Sequence, residues 1–200
     1  MDLSVIIINY NRGFYLQYLL KYFWRYKNDA VEIILIDDCS TEQETIYMLA
    51  HLDELFPQHS FKLVQNKTNQ GIGYNRQLGL TLAKGKYVVY IDSDDSIVDA
   101  YLPTLLNLIQ TEKDVYCFSA ITYPLGDIHN EWSYVWNKMY KKHFLTSNNI
   151  KFELERNGED VVFNEQVLLN NPSLEYYTTT FLYIQNLTGN SLTRSGKGWL

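Results

Sequence analysis

The 200-residue sequence is poor in cysteine and proline, with two and four of them, and it has no apolar run near the length of a membrane span. Two thiols, Cys39 and Cys117, exclude a disulfide framework and a four-thiolate zinc centre, and both read as unpaired structural thiols. Without ~20 consecutive apolar residues there is no expected spanning helix. Met1-Asp2-Leu3 lacks the basic opening of a signal peptide. A soluble, cytoplasmic protein of a reducing compartment is the expectation. Basic residues are also in deficit: 17 Lys and Arg stand against 23 Asp and Glu, for a net charge of −6. That balance argues against a nucleic-acid partner, whose phosphates need a basic face. What the chain does have is 46% apolar and 15% aromatic residues, enough to bury a core. The length fits a single domain over residues 1–200.

The organising pattern is a period. Short β-branched runs begin at Leu3, Val31, Phe61, Tyr87 and Val115, at intervals of 28, 30, 26 and 28 residues. They extend to Ile8, Ile36, Val64, Ile91 and Ser119, and continuous apolar runs of this kind predict strands covered on both faces of a parallel sheet. Helical spacing fills the gaps, with Phe14, Leu16, Leu19, Leu20 and Phe23 in the first. Ser40 and Thr41, followed by Gln43 and Glu44, predict a capping box for a second helix. Asn75 to Ala83 reads as a helix with Gly85 as its C-cap, and Tyr101 to Gln110 as another. Strand, helix and strand at this interval form βαβ units, so the fold class is α/β with a Rossmann-like, mostly parallel sheet flanked by helices. After about Tyr123 the rhythm breaks. Pro124 to Asn130 reads as a loop, and Lys138 to His143 as a solvated basic helix face, with charge to offset a diphosphate or contact with an anionic membrane as alternatives. Gly158-Glu159-Asp160 opens an apolar helix through Leu169, and Leu174 to Ile184 reads as a strand. Residues 1–123 therefore form a nucleotide-type half and 124–200 a smaller substrate-side extension.

In open α/β sheets ligands sit beyond the carboxyl ends of the strands. Here strand one runs into Asn9-Tyr10-Asn11, strand two into Asp37-Asp38 and strand four into Asp92-Ser93-Asp94-Asp95. Like-charged carboxylates ~4 Å apart cost roughly 4 kcal/mol per pair at an effective dielectric near 20. A hard divalent ion, Mg²⁺ or Mn²⁺, reverses that sign, whereas the alternative is a solvated acidic turn before a helix. Asp37-Asp38 reads as base or ribose recognition, or as charge at a helix N-terminus. Asn69-x-Gly71-x-Gly73 with Arg76 is a glycine-bearing loop entering a helix, suited to phosphate or base, and is neither a P-loop nor the dinucleotide fingerprint.

Taken in order and spacing, Tyr10-Asn11, Ile36-Asp37-Asp38-Cys39-Ser40, Asn69-x-Gly71-x-Gly73 with Arg76, Gly85-x-Tyr87 and Ile91-Asp92-Ser93-Asp94-Asp95 resemble the N-terminal half of family 2 glycosyltransferases of the GT-A fold. Looser likeness continues through Trp136-Asn137-Lys138-Met139-Tyr140, Gly158-Glu159-Asp160 and Gly189-Asn190-Ser191-Leu192-Thr193. The resemblance implies a metal-dependent, inverting transfer of a sugar from a nucleotide diphosphate sugar, a UDP-sugar by preference, to a glycan or lipid-linked glycan hydroxyl, in polysaccharide or glycoconjugate assembly. It implies that Tyr10 stacks on the nucleobase, that Asp38 accepts its N–H, and that Asn11, Gly71, Arg76 and Ser93 hold the nucleotide. Asp92 and Asp94 match the Asp-x-Asp pair for ribose and metal (Mn²⁺ or Mg²⁺), with Asp94 the direct ligand and Asp95 an assistant or helix cap. Asp160 matches the catalytic base, Glu159 being the alternative.

Ile8-Asn9 stands where the family often has Pro-Thr, and Asn75-Arg76-Gln77 where it usually has Ala-Arg-Asn. His129 and His143 are open to either metal ligation or packing. Trp132, Tyr134 and Trp136 are open to sugar stacking or core packing. Two rival functions remain. A sugar-phosphate nucleotidylyltransferase needs a glycine-rich basic loop after strand one, where this chain has Asn9-Tyr10-Asn11-Arg12-Gly13. A non-catalytic nucleotide-sugar-binding or partner-binding module of the same fold would bind without turnover.

Overall fold

A computed structural model describes residues 1–26, 28–52, 61–154 and 158–187; the family-like segment Gly189 to Thr193 lies outside them. The chain runs β1 (Leu3–Asn9), α1 (Gly13–Arg25), β2 (Val31–Asp37), α2 (Gln43–Ala50), β3 (Phe61–Gln65), α3 (Ile72–Leu82), β4 (Tyr87–Asp92), β5 (Ser96–Ile97) and α4 (Tyr101–Leu108). It continues through β6 (Val115–Tyr123), β7 (Ile128–His129), β8 (Lys138–Lys141), α5 (Lys142–Ser147), α6 (Glu159–Leu169) and β9 (Leu174–Asn186).

β1 and β2 are buried along their whole length, as their unbroken apolar runs require. Side chains alternate across a strand, so each face of β1 feeds a different core. Leu3, Val5 and Ile7 pack with Leu16 and Leu20 of α1, Leu49 of α2 and Leu102 of α4. Ile6 and Ile8 pack with Leu80 of α3, Phe144 of α5 and Phe163 and Val167 of α6. The result is a sheet with helices on both faces. Its strand order is β3-β2-β1-β4-β8-β6-β9-β5, with β7 paired to β6. The long pairings, β3-β2-β1-β4 and β6-β9, are parallel, and the short ones are antiparallel. β6, β8 and β9 join the same sheet as the first half, so one sheet spans both halves. No helix among the described residues is long and apolar enough to cross a membrane.

Several local expectations give way, among them the segment from Pro124 to Asn130, which is not all loop but holds β7 paired to β6. Ser40 and Thr41 do not cap α2, whose N-cap is Glu42. The amides of Thr41 and Glu42 instead donate to the Asn11 side chain, at 2.7 and 3.0 Å, so a neighbouring loop supplies the acceptor. Gly85 is not a C-cap, since α3 ends at Leu82 with Ala83 following. A Cβ there would lie 2.5 Å from the Ser4 nitrogen, so this glycine allows the chain to pass against β1. The basic stretch at 138 starts as a strand, not a solvated helix face. Lys138 to Tyr140 are buried because β8 fills the gap between β4 and β6. The Lys138 ammonium is 1% exposed as a residue and donates to the Glu131 and Tyr134 carbonyls and to Asn137 Oδ1, at 3.0, 2.5 and 2.7 Å. Burial lowers its pKa to about 8.

Candidate active site

Parallel register places the strand ends on one level: Asn9 lies opposite Asp37, and Ile8 opposite Asp92. The first two loops are bound together by polar side chains. Asn9 Nδ2 donates to Asp37 Oδ1 (2.7 Å), and the Ser40 hydroxyl donates to the same oxygen (2.5 Å). Ser40 Oγ in turn accepts the Asn11 amide at 2.9 Å. Asn11 sits at φ +53, a conformation asparagine tolerates, and its side chain reaches the start of α2. Asn11 is therefore a brace between loops. Tyr10 stands beside it on the rim, 44% exposed.

Asp38 is buried, and its carboxylate organises the glycine loop. Oδ1 accepts the Asn66 side-chain amide (2.9 Å) and the Gln70 amide (2.7 Å), and Oδ2 accepts the Gly71 amide (2.9 Å). Gly71 takes φ +86 at the head of α3, where a side chain would be strained. Each carboxylate oxygen has two lone pairs, so one acceptor position of Asp38 Oδ2 is left beyond these bonds. Asn66 also donates to Asn75 Oδ1 (2.6 Å), and Asn75 returns a bond to the Gly71 carbonyl (2.8 Å). Asparagines are common in loops, and no spacing in the sequence marked Asn66 and Asn75 as part of this cradle.

The acid turn after β4 divides its three carboxylates. The Ser93 amide donates to the Ile8 carbonyl and the Asp95 amide to Asp92 O, which holds the turn against β1. Asp92 accepts from Arg76 Nη2 at 3.0 Å, and Asp94 from Arg12 Nε at 3.3 Å. Both keep partial exposure. Asp95 is buried and neither assists at the opening nor caps a helix: it accepts the Tyr183 hydroxyl at 2.6 Å and the Asn186 amide at 2.8 Å. Burial raises the pKa of Asp94, with the Asp92 charge adding to it and Arg12 opposing. Burial raises Asp95 further above the ordinary range, reinforced by Asp92 and Asp94. The turn thus offers Asp92 and Asp94 as oxygen donors. Among the described residues no cluster of three or more His, Cys, Asp or Glu encloses a metal. Two carboxylates with an incomplete shell suit a hard divalent ion that completes its coordination with water and phosphate. His129 bonds the Thr122 hydroxyl and lies 3.3 Å from Glu131, well engaged in packing.

Arg76 connects this turn to α6. It is 3% exposed; Nη2 meets Asp92 and Nη1 meets Glu159. Burial lowers the pKa of such a group, but Asp92, Glu159 and Asp160 together outweigh it, and the guanidinium stays charged. Glu159 and Asp160 occupy the first turn of α6. Glu159 is buried in the ion pair, which occupies its charge. Asp160 is half-buried, its Oδ1 accepting the Val161 amide at 3.0 Å. Burial raises its pKa, opposed chiefly by Arg76. Of the two acids, Glu159 is the one that the Arg76 ion pair holds. Trp136, one of the three aromatic candidates for sugar stacking, is buried in the core against Tyr183.

Comparison with known proteins agrees with this geometry. The Escherichia coli protein "Uncharacterized glycosyltransferase YibD" is 26% identical over 97% of this chain and 64% of its own length. A "Cholesterol galactosyltransferase" of Borreliella burgdorferi is 26% identical over 89% of this chain and 58% of its own. The chain thus spans less than two thirds of the length of these relatives. The crystal structure of residues 1–349 of Staphylococcus aureus TarS with UDP-GlcNAc superposes with a TM-score of 0.82, covering all of this chain and 62% of that one at 23% identity, which shows a shared GT-A fold. The profile described as "Glycosyl transferase family 2" matches residues 4–164, from the first strand through the helix that carries Asp160, and the chain belongs to that family.

Proposed function

We propose that this chain transfers a sugar from a UDP-sugar to a hydroxyl of a glycan or lipid-linked glycan, with inversion at the anomeric carbon. The observation that carries the reading is the Arg76 bridge: one buried cation holds Asp92, at the donor end of β4, and Glu159, next to Asp160. On this reading one buried cation bridges a donor-side acid and the helix turn that carries the base. Tyr10 supplies a ring for the uracil, and the remaining acceptor position of Asp38 suits its N–H.

In this reaction the acceptor oxygen attacks the anomeric carbon while the bond from that carbon to the diphosphate oxygen breaks. The acceptor proton passes to the Asp160 carboxylate, and UDP leaves. Raised basicity at Asp160 suits that role, and general-base help is worth ~10²–10⁴ in rate. Asp92 and Asp94 would hold Mn²⁺ or Mg²⁺, and the bound ion would neutralise charge on the departing diphosphate. A single base and no second catalytic carboxylate accord with direct displacement.

The test is turnover of a panel of UDP-sugars with Mn²⁺, for the wild type and Asp160→Asn. Transfer or hydrolysis in the wild type, lost in the variant while UDP still binds, supports the reading. UDP binding with no turnover in the wild type, across donors and acceptors, would leave a binding module instead.

A further inference from the structure

We infer that Tyr183 is a positioning residue, which sets the acid turn and ties it to the helix that carries Asp160. The inference rests on the reading that this turn receives the donor. Burying a tyrosine ring needs no hydroxyl, and phenylalanine would fill the same space; a buried hydroxyl requires partners. Tyr183 spends both of its hydrogen-bonding roles on one turn. It donates to Asp95 Oδ2 at 2.6 Å and accepts the Asp92 amide at 3.2 Å. Asn186, on the same strand, adds its amide to Asp95 Oδ1 (2.8 Å) and its side chain to the Asp94 carbonyl (3.0 Å). β9 thus grips the turn at Asp92, Asp94 and Asp95 through two residues. Asp95 serves as the peg, which leaves the Asp92 and Asp94 carboxylates partly exposed.

The ring of Tyr183 carries the link onward. It stacks on Trp136 (4.9 Å, 13°), which stacks on Tyr134 (4.6 Å, 19°). The Tyr134 carbonyl accepts from Asn164 of α6 at 3.1 Å and from Lys138 at 2.5 Å. One continuous chain of contacts therefore joins the base helix to the acid turn, and Tyr183 is where it meets the turn.

The experiment compares Tyr183→Phe with the wild type and with Tyr123→Phe, an exposed control. It measures hydrogen exchange of the amides of residues 92–97, UDP affinity with and without Mn²⁺, and donor KM against kcat. The expected result is faster exchange in that segment and a roughly 10-fold loss of Mn²⁺-assisted UDP affinity, the scale of one hydrogen bond to a charged group. Both changes should be absent in the control. Asp95→Asn combined with Tyr183→Phe should be no worse than Tyr183→Phe alone, because the two act as one unit. Unchanged exchange in residues 92–97 overturns the inference, and so does faster exchange with unchanged affinity, KM and kcat. A wild type that binds no UDP in Mn²⁺ overturns the proposed function instead, and exchange alone then decides whether Tyr183 holds the turn.

Discussion

The two halves of the sheet are built by different rules. In residues 1–123 the strands β1, β2 and β4 are mostly apolar and buried, β1 pairs in parallel with both of the others, and all three hand polar residues to the same edge. Beyond residue 123 the strands are either short, like β8, or long and half-exposed, like β9. The first half contributes the acids proposed to face the donor. The second contributes the helix with the proposed base, Asp160, and the groups that brace the acid turn, Tyr183 and Asn186. The strand-end acids sit on the regular part, and the irregular part holds their turn in place.

The comparison breaks most sharply at Asp160. Asp160→Asn should lower turnover by ~10²–10⁴, whereas Glu159→Gln should act through the Arg76 pair and cost stability as well as rate. Steady-state kinetics beside thermal melting would separate them. Because burial raises Asp160 above the ordinary 3.8, its basic form is lost on acidification earlier than for an exposed aspartate. Rate should rise with pH through that raised value and then level, so a kcat profile already flat at pH 4 would contradict the base assignment.

Stability sharpens the contrast next. Lys138→Ala removes a buried ammonium from three acceptors, and should cost ~3 kcal/mol in urea unfolding. Lys138→Met keeps the volume and reports the charge. Since folding lowers this pKa from 10.5 to about 8, the stability contribution of the group is present above 10.5 and is lost as pH falls through about 8. The methionine variant should therefore gain on the wild type as pH falls from 10.5 to 8; a constant difference would refute the lowered pKa of Lys138. The smaller effects compare two glycines. Gly85→Ala should cost ~1–3 kcal/mol, because its Cβ would strike backbone of Ser4. Gly126→Ala, with nothing within 4 Å but φ +82, should cost only the ~1 kcal/mol of a left-handed residue.

Much of the first half was legible because burial on both faces writes itself into composition. The strands at Leu3, Val31, Phe61 and Tyr87 appear where the period places them, each longer by one residue than its apolar run: Asn9, Asp37, Gln65 and Asp92 complete the ladders. The helix from Glu159 to Leu169 is also where its sequence puts it. The site was legible as a set of strand-end acids, but their division of labour was not. Three aspartates in four residues look alike in sequence, and only partners far along the chain distinguish them: Arg76 for Asp92, Arg12 for Asp94, and Tyr183 with Asn186 for Asp95. Lys138 misled for a related reason. A basic residue beside other basic residues reads as surface, and it is buried only because three oxygens converge on it.

Local sequence by itself determined the order and spacing of the β/α units and the edge at which polar residues gather, since side-chain alternation and apolar burial act within a few residues. The tertiary structure alone decided which carboxylates keep partial exposure, which one pegs the turn and which cation bridges Asp92 and Glu159. Those assignments depend on charge and hydrogen-bond partners brought together from 16 to 91 positions away, and no local pattern encodes them.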